Sequence, residues 1–130
     1  MTNSPVLPVL DADRSAEFRE ALLKASFTAD GLLDLLGPTA YAALARSEAV
    51  PALRATRGGS PLETLVRLFL LQRAVPRAAA AAALPVDALL ADGWLTADGD
   101  ELRATVDVRP YADEVAGLPS ADAWVVSDLG

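Results

Sequence analysis

The sequence predicts a mainly α chain with a small antiparallel β-hairpin or sheet, an α+β fold in which a layer of N-terminal helices precedes a winged-helix core (helix-turn-helix plus wing). Three observations carry that expectation. They are a proline-led capping box at Ser60-Pro61-Leu62-Glu63, two short helical runs close behind it, and period-two alternation around Asp98-Gly99. One domain of 130 residues is expected: a leader over 1–14, helices over 15–57 and the winged core over 60–130.

After a leader interrupted by Pro5 and Pro8, residues Phe18, Ala21, Leu22 and Ala25 recur at helical spacing behind Ser15, a good N-cap, so a first helix is expected over 16–25. Glu17, Arg19, Glu20 and Lys24 make its polar side. Thr28 can cap a second helix carrying Leu32, Leu33, Leu35 and Leu36, which Gly37-Pro38 stops. Residues 39–45 can form a third. Val50-Pro51-Ala52-Leu53 then interrupts the pattern, and 56–60 reads as a loop.

The capping box fixes a helix start, because the Ser60 hydroxyl and the Glu63 carboxylate satisfy exposed amides reciprocally and Pro61 needs no amide partner there. Leu62, Leu65, Val66, Phe69 and Leu70 form the stripe expected to be buried. Six consecutive alanines, 78–83, then favour a short helix that others can approach closely, and Pro85 opens another that Gly93 closes. Trp94-Leu95-Thr96 and 102–108 alternate about the Asp-Gly turn as a hairpin, and Trp124-Val125-Val126-Ser127 is a further strand reached through a Gly117-Leu118-Pro119-Ser120 loop.

Charge qualifies what such a core can bind. The expected recognition helix, 85–92, carries Asp87 and Asp92 and no Arg, Lys, Asn or Gln, and the hairpin adds Asp98, Asp100 and Glu101. A net charge of −7 and a pI near 4.4 oppose attraction to duplex DNA or an anionic membrane. The charge is segregated: residues 1–43 sum to −3, 44–79 to +4 and 80–130 to −8. The positive middle comprises Arg46, Arg54, Arg57, Arg67, Arg73 and Arg77. These are candidate docking residues for an acidic partner or an RNA backbone, set against the ordinary reading of arginines on solvated helix faces.

The chain has neither Cys nor His, which excludes a disulfide framework, thiolate metal sites, Cys or Ser nucleophiles activated by His, and the commonest metal ligand. The acids at 98–101 and at Asp113 and Glu114 lack a calcium-loop spacing and read as turn solvation. Trp94 and Trp124 read as core aromatics rather than stacking platforms. No signal-peptide pattern precedes the helices and no run reaches the ~18 apolar residues of a membrane span, so a cytoplasmic protein is expected.

Leu65-Val66-Arg67-Leu68-Phe69-Leu70-Leu71, Gly93-Trp94-Leu95, Asp107-Val108-Arg109-Pro110-Tyr111 and the segment from Trp124 to Gly130 resemble the N-terminal domain of a bacterial family of S-adenosylmethionine-dependent methyltransferases. That family is similar in its catalytic half to the release-factor glutamine methyltransferases. The resemblance implies a parent enzyme that methylates a protein amide or nucleobase nitrogen. A following Rossmann-like domain would hold S-adenosylmethionine, and this chain would supply no cofactor-binding or catalytic residue of its own. It further implies that Tyr111 and Trp124 contact that catalytic domain in cis. The chain has no G-x-G-x-x-G loop and no Asn-Pro-Pro motif, and Asp128-Leu129-Gly130 reads as a strand end rather than a cofactor loop. The expectation is therefore a non-catalytic recognition or orienting domain, the N-terminal part of a longer enzyme. A winged-helix DNA-binding regulator and a homo-oligomerisation domain are the alternatives.

Overall fold

The first helix ends in a hydrogen-bonded reversal rather than fraying into a loop. In a computed structural model, which describes residues 12–46, 48–112 and 122–128 (backbone only for 12–15, 45, 111–112 and 122–128), helix α1 spans Ala12–Lys24. Ser15, expected to cap it, lies inside its first turns, and the expected leader is outside the described residues up to position 11. Phe18 and Leu22, one turn apart, are buried. Ser26 then takes a left-handed φ of 63°. Its amide bonds the Leu23 carbonyl and that of Phe27 bonds Leu22, at 3.0 and 2.9 Å, the paired closure that glycine usually makes.

Helix α2, Ala29–Ala45, is capped by Thr28, whose hydroxyl accepts from the Gly31 amide at 3.0 Å. It is broken at Gly37, where φ is 80° and ψ 164°, so the glycine does divide the two expected helices although they follow one another without a loop. Val50-Pro51-Ala52-Leu53 is not an interruption: it begins helix α3, Val50–Ala55. Pro51 sits in the first turn, where a missing amide costs nothing.

The capping box forms as expected, and helix α4, Pro61–Leu65, runs from it straight into a π-helical segment, Val66–Leu70. There the Leu71 amide reaches the Val66 carbonyl at 3.0 Å, five residues back. The wider turn brings Leu68 inside beside Val66, Phe69 and Leu70, a position that a strict 3.6-residue period leaves out. Gln72, at φ 55°, ends the segment.

Strand β1, Val75–Pro76, helix α5, Arg77–Ala83, helix α6, Val86–Ala91, and strands β2, Leu95–Asp98, and β3, Glu101–Ala104, follow in order. Their sheet is antiparallel with order β1-β3-β2, pairing Val75 with Leu102 and Leu95 with Ala104. The two residues at the hairpin tip are Gly99 and Asp100, one place on from the Asp-Gly expected; only Gly99 has positive φ, 63°, as in a type II′ turn. Gly93, at φ 83°, closes α6 with the same paired closure as Ser26: its amide bonds Leu90 and that of Trp94 bonds Leu89.

The expected single strand 102–108 is two. Thr105 turns aside, its amide donating to the Trp94 carbonyl and its hydroxyl to that of Gly93, at 3.0 and 2.6 Å. Strand β4, Val106–Ala112, then pairs antiparallel with β5, Asp122–Asp128, in a separate two-stranded sheet. The Gly117–Ser120 loop, Asp113, Glu114, Leu129 and Gly130 are outside the described residues.

One buried cluster joins α1 to β4. At its centre the Phe18 ring meets Phe69 and Trp94 edge-on at centroid separations of 5.8 and 5.4 Å, and Phe27 leans on Phe69 at 6.3 Å. Trp94 is thus a core aromatic. The N-terminal helices and the β1-to-β3 unit therefore share a core, which ties the basic middle of the chain to the hairpin.

Candidate functional site

The six arginines of the positive middle have three different fates. Arg67, in the π-helical segment, is half-buried and turned onto the end of α3. Its Nε donates to the Thr56 carbonyl at 2.8 Å and the Thr56 Oγ1 at 2.9 Å, and one Nη donates to the Leu53 carbonyl at 2.8 Å. The Thr56 hydroxyl in turn donates to the Ala52 carbonyl at 2.8 Å. A guanidinium so placed supplies donors where the last carbonyls of a helix lack them and meets the negative end of its dipole. Arg46 and Arg77 pair with acids at the surface: Arg46 with Glu48 at 2.6 Å, Arg77 with Asp87 at 3.1 Å.

Arg54, Arg57 and Arg73 are exposed, and their side chains have no hydrogen bond or ion pair among the described residues. Arg54 is on α3 and Arg57 opens the loop after it. Arg73 follows the π segment, its amide donating to the Arg67 carbonyl at 2.8 Å. The loop between Arg57 and α4 is held by Glu63. Its two carboxylate oxygens accept from the Gly58 and Ser60 amides at 2.9 and 3.0 Å, while the Ser60 hydroxyl accepts from the Glu63 amide at 3.2 Å. The Ser60 side chain is the largest cause holding the Glu63 carboxyl below its ordinary 4.5; burial opposes it, and the two backbone amides and the Arg67 charge add to it.

Between this loop and the β1–α5 junction lies an open cleft of about 300 Å³. Arg57 and Arg67 line its polar side, Thr64 is set into its wall, and Val75, Pro76 and Ala79 make its apolar side. Thr64 was not a sequence candidate. A threonine next to the buried stripe of 62–70, where the other polar residues are Glu63 and Arg67, was the available signal, and helical periodicity alone does not separate it from a packing residue.

Tyr111 and Trp124 come together only as neighbours in the ladder: Tyr111 lies opposite Ala123, and Trp124 opposite Pro110. Their side chains are outside the described residues. Pro110 also borders a smaller apolar cavity, about 130 Å³, with Leu32, Tyr41, Leu44 and Leu70. The acids of the recognition position, Asp87 on α6 and Asp98, Asp100 and Glu101 at the hairpin tip, are all exposed. Among the described residues no three His, Cys, Asp or Glu side chains gather as a metal site. No helix among them is long and apolar enough to cross a membrane.

Residues 24–105 match the model of a family described as a domain of unknown function, DUF7059. The chain belongs to the DUF7059 family. Its matched span runs from the end of α1 through the hairpin and contains the whole basic cleft; β4 and β5 lie beyond it. No curated protein and no solved structure matches the chain.

Proposed function

We propose that this DUF7059 chain is a non-catalytic domain that recognises and orients the macromolecular substrate, protein or RNA, of an S-adenosylmethionine-dependent N-methyltransferase acting in the cytoplasm on an amide or nucleobase nitrogen. The observation that carries the docking role is the set of exposed guanidinium groups at Arg54, Arg57 and Arg73, unpartnered among the described residues and with Arg57 lining a cleft, in a chain whose net charge is −7. The methyltransferase assignment rests on the sequence resemblance. In this reading the cofactor and the chemistry belong to a catalytic domain in cis, which Tyr111 and Trp124 contact.

The order helix, strand, helix, helix, strand, strand, with sheet order β1-β3-β2, supports reading residues 61–104 as a winged helix. Its recognition position is acidic, so duplex DNA is repelled rather than bound. Replacing Arg54, Arg57 and Arg73 by Glu in the parent enzyme is expected to lower kcat/KM for the macromolecular substrate by about ten- to a hundredfold, mostly through KM. Unchanged turnover would falsify the docking role.

A further inference from the structure

The basic cleft has a feature that a merely solvated patch does not need. Thr64 is only 3% exposed and lines the cleft, yet its side chain makes no hydrogen bond among the described residues. No fully enclosed side-chain polar atom among the described residues lacks a partner, so the Thr64 hydroxyl keeps a small opening to solvent, and the residue lines the cleft.

Arg67 adds a second fixed donor. With Nε and one Nη bonded to the end of α3, its guanidinium plane is locked, and the protons of the other Nη stay uncommitted. Such preorganisation lowers the entropic cost of gripping an anion. Arg57, unpartnered, stands at the rim.

We propose that this cleft binds an acidic peptide segment, a carboxylate seated between Arg57, Arg67 and the Thr64 hydroxyl and a neighbouring aliphatic side chain lying on Val75, Pro76 and Ala79. The inference rests on the docking role above and narrows its substrate from protein or RNA to protein.

Three observations favour a peptide over RNA. Glu63 already sits on the Gly58 and Ser60 amides, so two guanidinium charges face one resident carboxylate, a balance suited to a single acid group rather than a phosphodiester chain. The aromatics Phe18, Phe27, Phe69 and Trp94 are buried in the core and none lines the cleft, so bases find no stacking platform there. The apolar wall of Val75, Pro76 and Ala79 offers an aliphatic side chain a surface beside the guanidinium groups, which a ribose-phosphate chain does not use.

The test uses the full chain and a fluorescein-labelled peptide of about twelve residues built from Glu, Leu and Gly, followed by fluorescence anisotropy at low ionic strength. A single-stranded oligouridylate of equal net charge is run in parallel. Saturable peptide binding is expected, about tenfold weaker in Arg57→Glu and about threefold weaker in Thr64→Val, restored by Thr64→Ser, and changed less than about twofold by Arg103→Glu on the hairpin. Circular dichroism of each variant confirms its fold. The proposal is overturned if the peptide does not saturate the wild-type chain, if Arg57→Glu and Thr64→Val bind as the wild type does, or if the oligouridylate binds more tightly. Loss of parent-enzyme turnover in the triple Arg variant without peptide binding leaves docking standing and removes the peptide site. Peptide binding that depends on Arg57 beside normal turnover does the reverse.

Discussion

The stretch from α1 to the π segment and the stretch from α5 to β4 both use arginine and tight turns, but they tie them down differently. In the first, apart from the exposed Arg46–Glu48 pair, polar groups bond backbone: Arg67 and Thr56 serve the carbonyls of α3, Thr28 caps α2, and Ser60 and Glu63 cap α4. In the second, Arg77, Arg103 and Arg109 reach Asp87, Asp98 and Asp107, and each arginine is about half exposed. Directional bonds to half-buried carbonyls fix a loop in place; exposed ion pairs mostly keep a surface soluble. The polar side of the cleft, Arg57, Thr64 and Arg67, lies in the first region, where positions are held.

Arg67→Met is the severest way to break that comparison. It keeps much of the apolar stem, strips the Thr56 carbonyl of its guanidinium donor and leaves the Leu53 carbonyl only the longer bonds from Thr56, at an expected cost of about 3 kcal/mol. Arg54→Met, in the last turn of α3, is expected to change stability by less than about 0.5 kcal/mol. Urea denaturation of the two variants gives the difference directly. Equal midpoints would mean that Arg67 is an ordinary surface arginine.

Next comes the junction of α1 and α2. A Cβ at Gly31 would run into the Ser26 carbonyl oxygen, which cannot give way because Ser26 is held left-handed by the closure of α1. Gly31→Ala should therefore cost about 2 kcal/mol, whereas Gly99→Ala in the hairpin meets no atom and loses only the ease of its positive φ, about 1 kcal/mol. Thermal melting ranks the two, and a Gly31→Ala chain as stable as Gly99→Ala would remove the close approach from the account.

How much of this was legible in the sequence follows from the range of each signal. Local ones were readable: the box at Ser60–Glu63, the Thr28 cap, Gly93 and the hairpin each depend on residues within a few positions of one another. Pro51 misled, because proline both ends helices and begins them, and only the structure shows which. The π segment could not be read from a 3.6-residue period. Of the candidate site, the net positive charge of the middle was visible, but its division was not. That Arg67 serves α3 depends on a contact fourteen residues away in the chain, and that Thr64 opens on a cleft depends on β1 folding back beside it. Composition counts charges without saying which are already partnered.

The capping box gives a smaller effect with a pH signature. Ser60→Ala should cost about 1 kcal/mol near neutrality. Because the folded state holds the Glu63 carboxyl below 4.5, its contribution is present above that pH and is lost as pH falls through the lowered value. Ser60 is the largest cause of the lowering, so the gap between wild type and Ser60→Ala should narrow as pH drops below about 4.5. A gap that stays constant from neutrality to pH 3 would show that the carboxylate is not part of the cap.

The smallest effect is expected where the ion pairs are exposed. Arg77 and Asp87 join the starts of α5 and α6 at 3.1 Å, but the aspartate side chain is 95% exposed and the arginine 49%. Solvent screens both, and ordering two free side chains offsets most of the attraction, so a double-mutant cycle with Arg77→Ala and Asp87→Ala should return a coupling below about 0.5 kcal/mol that shrinks with added salt. A coupling several times larger would place a partly desolvated bridge at the α5–α6 turn. The acidic recognition position would then be braced as firmly as the end of α3, and the contrast between the two regions would be one of sign alone.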